Sequence, residues 1–285
     1  MSGIMKYVTA NTHWGRLGSQ LMEEFSAQLV AEALGYTYLY QDYKTFDSPF
    51  LVPAAALWPR FGIGRGELDY REFQHLPRHE KPGEWANHHN LEDWAAEMEQ
   101  FTTDTVLCLP KGTLPYALRW NVPECKPRES IERAFPIVRQ RFREKAGLIP
   151  PPPKPGPIRS VCFYVRGWAP DSPDFDINYA RQSLRPDLYV KALQWIEAYR
   201  GTAPDFHITI YTQGPEEVAR DIPHDRLVII PETDSEMLWA ATFDMVMCDA
   251  CVLGHGQYGN LISLYRTGLM FSINPRESGV SAILL

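Results

Sequence analysis

The sequence predicts an α/β protein made of two Rossmann-like domains that face one another across a cleft. Three observations carry that expectation. A strand, a glycine-containing loop, a helix and a second strand follow one another over residues 5–40; strands and helices alternate again after residue 158; and a proline-rich run over residues 149–157 separates the two stretches. The 285 residues lie at the limit of one hydrophobic core and suit two domains of roughly 130–150 residues each. The expected divisions are residues 1–148, a linker over 149–157, and residues 158–285.

Residues 5–9 form a short strand-like run. From Ser19 the apolar positions Leu21, Met22, Phe25, Leu29, Val30, Ala33 and Leu34 recur with helical spacing, and Gly35 stands where a C-cap glycine would end the helix. Residues 36–40 are rich in β-forming aromatics, which completes a βαβ unit. Residues 41–100 are broken by Pro and Gly, with weak helical spacing over 90–101, and residues 105–109 read as a buried strand. Ile131, Phe135, Val138 and Phe142 predict a helix over 128–147 that Pro136 should break or kink. The proline run cannot lie inside a helix or a central strand, and its stiffness suits a spacer. Beyond it, strands are expected over 159–165, 207–211, 227–230 and 243–248. Helices are expected over 188–199, 215–220, 235–242 and 258–266. Strands separated by helices imply parallel pairing with right-handed crossovers.

Composition narrows the partners. Hydrophobic types at 45% and charged types at 22% are ordinary for a globular chain, although 24 prolines exceed the usual ~5%. The 28 Lys and Arg against 35 Asp and Glu leave a net charge of −7, which argues against nucleic acid as the main partner. No run reaches the ~18 apolar residues of a membrane span, and the first residues do not resemble a secretory leader. Cys108, Cys125, Cys162, Cys248 and Cys251 are odd in number and lie mostly in or beside apolar runs, as expected of reduced core cysteines in a cytoplasm-like compartment. Cys248 and Cys251 have redox or zinc spacing, but no second pair completes a four-ligand site, so no metal is expected.

Three constellations are candidates for chemistry. Gly15, Arg16 and Gly18 lie where the first strand turns into the first helix; the glycines admit close backbone approach, and the helix-opening amides would meet a diphosphate or a sugar. Arg166 follows an apolar strand, so it is delivered to the carboxyl edge of a parallel sheet, where ligands bind. Its guanidinium suits phosphate oxygens. His255, Gly256, Gln257 and Tyr258 form another strand-to-helix loop whose amides and side chains could hold phosphate or ribose. Packing alone also explains glycine loops of this kind, and His255 is equally a structural hydrogen-bonder.

Residues 15–21, Gly-Arg-Leu-Gly-Ser-Gln-Leu, resemble the Gly-Gly-Leu-Gly-Asn-Gln-Leu opening of the fucosyltransferase superfamily, which includes α-1,2-, α-1,6- and protein O-fucosyltransferases. Tyr164-Val-Arg166 resembles that superfamily's His-x-Arg motif, whose arginine binds the β-phosphate of GDP-fucose. Ser19 and Tyr164 stand where the superfamily has Asn and His, and His255 to Tyr258 replace its Ser-rich loop. The resemblance implies a GT-B type, inverting, metal-independent glycosyltransferase with an acceptor-side first domain and a nucleotide-sugar-binding second domain. Its donor would be a nucleoside-diphosphate sugar, with a GDP-sugar favoured, and its acceptor a glycan or a protein hydroxyl.

In that reading Arg166 and the loop amides near Gly256 neutralise the departing diphosphate, with no resident cofactor. A proton acceptor is also required. His13, Glu23, Glu24, Asp171, Asp174 and Asp176 are within the candidate segments, and Asp174 and Asp176 are the preferred pair. Trp58, Trp85, Trp94, His88 and His89 either contribute an acceptor surface or, by default, belong to the core. Two other readings compete: a polysaccharide pyruvyltransferase-like enzyme, and a non-catalytic carbohydrate-binding module of the same fold.

Overall fold

A computed structural model describes residues 3–10, 17–41, 57–80, 91–109, 129–152, 156–165, 186–214, 216, 219–231, 234–254, 256–274 and 279–284. The chain divides into two compact units, Met1–Gly147 and Leu148–Leu285.

The first unit is built on a five-stranded parallel sheet. Its strands are β1 (Lys6–Ala10), β2 (Thr37–Tyr40), β3 (Leu68–Asp69), β4 (Arg78–Glu80) and β5 (Thr105–Leu109), in the spatial order β3-β2-β1-β5-β4. β5 is buried along its whole length, the mark of a strand covered on both faces. Helix α1 (Leu17–Leu34) connects β1 to β2, and Gly35 ends it at φ 69°, a left-handed turn that glycine enters without steric cost. α1 is buried on nearly every side, Gln20, Glu23 and Glu24 included. Phe25 meets Phe135 and Phe142 of α3 (Glu129–Ala146) edge to face, at centroid distances of 5.6 and 5.1 Å. α2 (Leu91–Glu99) buries Trp94 and Met98.

The break expected at Pro136 does not occur: α3 is continuous through it. Ile131, Ala134, Val138 and Phe142 form the buried stripe, while Pro136 and Glu132 lie on the exposed face. The carbonyl of Glu132, which loses its intrahelical donor to proline, therefore sits on the side that water reaches.

The second unit has a six-stranded sheet in the order β11-β10-β9-β6-β7-β8. Its strands are β6 (Ile158–Val165), β7 (Thr202–Thr212), β8 (Arg226–Ile229), β9 (Ala250–Leu253), β10 (Leu269–Asn274) and β11 (Gly279–Leu284). Counted from β6, this is the 3-2-1-4-5-6 order of a dinucleotide-binding sheet. The exception to the expected parallel pairing is β11, which runs antiparallel to β10. A short return is enough for such an edge strand, since no crossover helix is needed. α4 (Pro186–Arg200) covers one face, where Phe163, Val165, Leu188, Tyr189, Ile196, Ile210, Val252 and Phe271 share one core.

The strand expected over 243–248 is instead the second half of helix α5 (Ser235–Met247). Leu238, Ala241, Thr242, Met245 and Val246 are its buried positions, a 3.6-residue period that carries on past residue 243, and Asp234 caps its start by accepting from the Met237 amide at 2.9 Å. The strand falls later, at β9. α6 (Gln257–Tyr265) then leads towards β10. The short helix expected over 215–220 lies largely outside the described residues.

Candidate functional site

In an open parallel sheet the ligand crevice lies beyond the carboxyl ends of the strands where their order reverses. In the second unit that point falls between β6 and β9, which pair from Val161 with Ala250 to Tyr164 with Leu253. β6 therefore ends, at Val165, immediately before Arg166, and β9 ends at Leu253, immediately before the 254–258 loop. The Gly254 amide continues the ladder by donating to the Tyr164 carbonyl at 2.8 Å. Two of the three constellations read from sequence thus leave neighbouring strands at the reversal point.

The loop on the β9 side is shaped by two glycines. Gly256 is the N-cap of α6 at φ 141°, a conformation that side chains rarely adopt, and it makes no side-chain cap hydrogen bond. The opening turn of α6 thus has no side-chain cap from residue 256, the arrangement a bound anion exploits at a helix start. A Cβ on Gly259 would lie 2.8 Å from the Gly254 carbonyl oxygen, so only glycine lets α6 approach the loop this closely.

Tyr258 differs from its expected role. Its hydroxyl is 2.6 Å from Thr242 Oγ1 and 3.5 Å from the Leu238 carbonyl, and its ring stands edge-on to Tyr164 at 5.0 Å. The phenol joins α6 to α5 beneath the loop, and burial pushes its pKa up, so it stays neutral. Tyr164, where the resembled motif has His, is 5% exposed and packs in this layer. Its carbonyl accepts from the Tyr189 hydroxyl at 2.9 Å as well as from Gly254.

The side chain of Gln257 is outside the described residues, as are Arg166, Asp171, Asp174, Asp176 and His255. In the first unit β1 lies at the centre of the sheet, between β2 and β5. His13, Gly15 and Arg16, between β1 and α1, are outside the described residues, and Gly18 is the second residue of α1 and buried. Glu24 is also buried: it accepts from the Tyr38 hydroxyl, and burial followed by the Glu67 and Glu23 charges pushes its pKa well up, against Lys145. It belongs to the packing of the helix, not to a solvated face. Trp58 and Trp94 are core residues, at 3% and 4% exposure, while Trp85, His88 and His89 lie outside the described residues.

Sequence reasoning did not find a second feature, a cavity of about 500 Å³ at the opposite, amino-terminal edge of the second sheet. Its walls come from the proline run, the starts of β6 and β10, and the turn between α5 and β9. Among the described residues no group of three or more His, Cys, Asp or Glu is arranged to hold a metal ion, and no helix is long and apolar enough to cross a membrane. No protein-family model matches the chain, and no curated protein matches it.

Proposed function

We propose that the chain is a sugar-nucleotide-dependent glycosyltransferase of the GT-B type, inverting and metal-independent. It moves fucose or another sugar from a nucleoside-diphosphate donor, with a GDP-sugar favoured, to a glycan or protein hydroxyl. The observation that carries the reading is the junction of β6 and β9: the strand leading into Arg166 and the strand leading into the Gly256 loop are paired neighbours at the order reversal of a 3-2-1-4-5-6 sheet.

The chemistry follows from charge. The acceptor oxygen attacks the anomeric carbon, the bond from that carbon to the β-phosphate oxygen breaks, and the diphosphate leaves with added negative charge. Arg166 and the opening amides of α6 stabilise that charge, and Asp174 or Asp176 takes the acceptor proton. A helix start contributes about 0.3–2 kcal/mol to an anion, and each charge-assisted hydrogen bond about 1.5–3. Micromolar affinity needs about 8 kcal/mol, so the arginine, the loop and a base pocket must act together.

A thermal-shift panel of GDP, UDP and phosphoenolpyruvate without added metal tests the proposal. A rise in Tm with a nucleoside diphosphate is expected, and Arg166→Ala should abolish it while leaving the unliganded Tm unchanged. No shift at millimolar nucleotide refutes the reading; binding without sugar transfer to any acceptor would leave a non-catalytic carbohydrate module.

A further inference from the structure

The cavity at the amino-terminal edge of the second sheet has Cys248 in its wall, together with Arg159, Ser160, His207, Asp249 and Gly268. Cys248 follows α5 as its C-cap. Two other thiols lie behind it: Cys162 in β6 and Cys251 in β9, which are register partners in the sheet and are 5% and 0% exposed. Both bear electrostatically on Cys248, whose Sγ also lies 3.0 Å from the Ala250 carbonyl and 3.5 Å from that of Met245. Arg266, 1% exposed, closes the cluster by donating from Nη1 to Cys248 Sγ at 3.2 Å. A cysteine that lines a cavity and whose sulfur meets a buried guanidinium beside two further thiols has what thiol oxidation requires: a route of access, a stabilised thiolate and a resolving partner.

The electrostatics agree. Burial works against the Cys248 thiolate, but the neighbouring Cys162 and Cys251 thiols and the charge of Arg266 outweigh it and hold the Cys248 pKa well below that of an ordinary thiol. Cys162 and Cys251 are pushed well above it and stay protonated. Of the three, Cys248 is the one that both receives the Arg266 guanidinium and lines the cavity, which makes it the nucleophile of the cluster.

We propose that Cys248 is an oxidation site that reacts with a small hydroperoxide entering the cavity and then closes a disulfide with one of the two thiols beside it. In the first step, with hydrogen peroxide, the Cys248 thiolate attacks one peroxide oxygen, the O–O bond breaks, and a sulfenic acid forms as the other oxygen leaves as hydroxide, which takes up the proton released when the Cys248 thiol ionised and becomes water. In the second, the Cys162 or Cys251 thiol attacks the sulfenic sulfur, the S–O bond breaks, and water leaves. Two thiols are oxidised by two electrons in total, and one hydrogen peroxide is reduced to two waters. The disulfide removes the anion that Arg266 faces and ties the end of α5 to the sheet. This site stands at the edge opposite the proposed nucleotide crevice and does not depend on it.

The test is reduced full-length protein treated with a few equivalents of hydrogen peroxide, then alkylated and peptide-mapped. Roughly two thiols should be lost per chain, in a disulfide that joins Cys248 to Cys162 or Cys251 and is reversed by dithiothreitol, with Cys108 still alkylated. Cys248→Ser should lose none of these thiols at the same dose. The double variant C162S/C251S should accumulate a Cys248 sulfenic acid that dimedone captures. Wild-type protein in which Cys248 stays reduced, or is over-oxidised with no disulfide to either neighbour, would overturn the proposal. Because the decisive map is made on the wild type, a variant that fails to fold does not rescue it.

Discussion

Replacing Arg266 with methionine keeps most of the side-chain volume and removes the fork. In the native protein Nη1 donates to the Met245 carbonyl at 2.8 Å and to the Val246 carbonyl at 3.3 Å, and Nη2 donates to the Leu269 carbonyl at 3.2 Å. Met245 and Val246 are in the last turn of α5, where carbonyls have no intrahelical donor, and Leu269 opens β10. At about 1.5–3 kcal/mol for each hydrogen bond to a charged group, the three bonds to carbonyls, counted without the one to Cys248 Sγ, sum to about 4.5–9 kcal/mol. Val246, Cys248 and Gly268 line the adjacent cavity, so water can reach part of the vacated site. The expected loss is then about 3–5 kcal/mol, the range for breaking a buried charged network. Set against a total of about 5–15 kcal/mol for a folded domain, this brings the second unit close to unfolding. Native-state hydrogen exchange across β9 and β10 reads that unit separately from the first. Arg266→Lys should recover part of the loss, since an ammonium can meet some of the carbonyls but not with the planar fork. Exchange protection within about 1 kcal/mol of wild type in Arg266→Met would refute the reasoning.

Two further expectations concern the first unit and the loop. Glu24 has its pKa raised by burial and by Glu67 and Glu23, so the folded state holds that proton more tightly than the unfolded chain does. The stabilising effect is complete below the unfolded value of about 4.3 and is lost as pH rises from there through the folded value. Glu24→Gln keeps an oxygen acceptor for the Tyr38 hydroxyl, so urea midpoints above neutral pH should rise and their decline with pH should flatten; an unaltered slope would count against it. Gly259→Ala sets about 1 kcal/mol of helix propensity gained against about 1–3 kcal/mol for the forced contact with the Gly254 carbonyl. A net loss of up to about 2 kcal/mol is expected, with a smaller nucleotide-induced Tm shift. A variant with the full shift and no loss of stability would show that this close approach does not shape the loop.

The elements that could be read without the structure are those whose signal is local. The Leu21, Met22, Phe25, Leu29 spacing and Gly35 defined α1, and the apolar runs at 105–109 and 161–165 are strands because they are buried on both faces. Where local signals competed, the reading failed. Pro136 outweighed a correct helical stripe, although on an exposed face its missing donor is tolerable. The apolar stretch at 243–248 looked like a strand because a short hydrophobic run fits either period until its buried positions are known. The extended segments at 68–69 and 78–80 are too short to carry an alternation at all.

By itself, then, the sequence determined most of the α/β alternation and the strands that end at Val165 and Leu253, because an apolar run is a property of adjacent residues. Tertiary structure alone decided the strand order. Val161 pairs with Ala250 across the intervening strands and helices, and no local pattern encodes a partner so distant. The same pairing brings Cys162 beside Cys251 and, with Arg266 closing behind, turns three cysteines that read singly as core residues into one cluster at the wall of a cavity. Burial raises the proton affinity of all three, and the Arg266 charge with the neighbouring thiols lowers that of Cys248, because the free energy of a thiolate depends on its surroundings and not on its place in the chain.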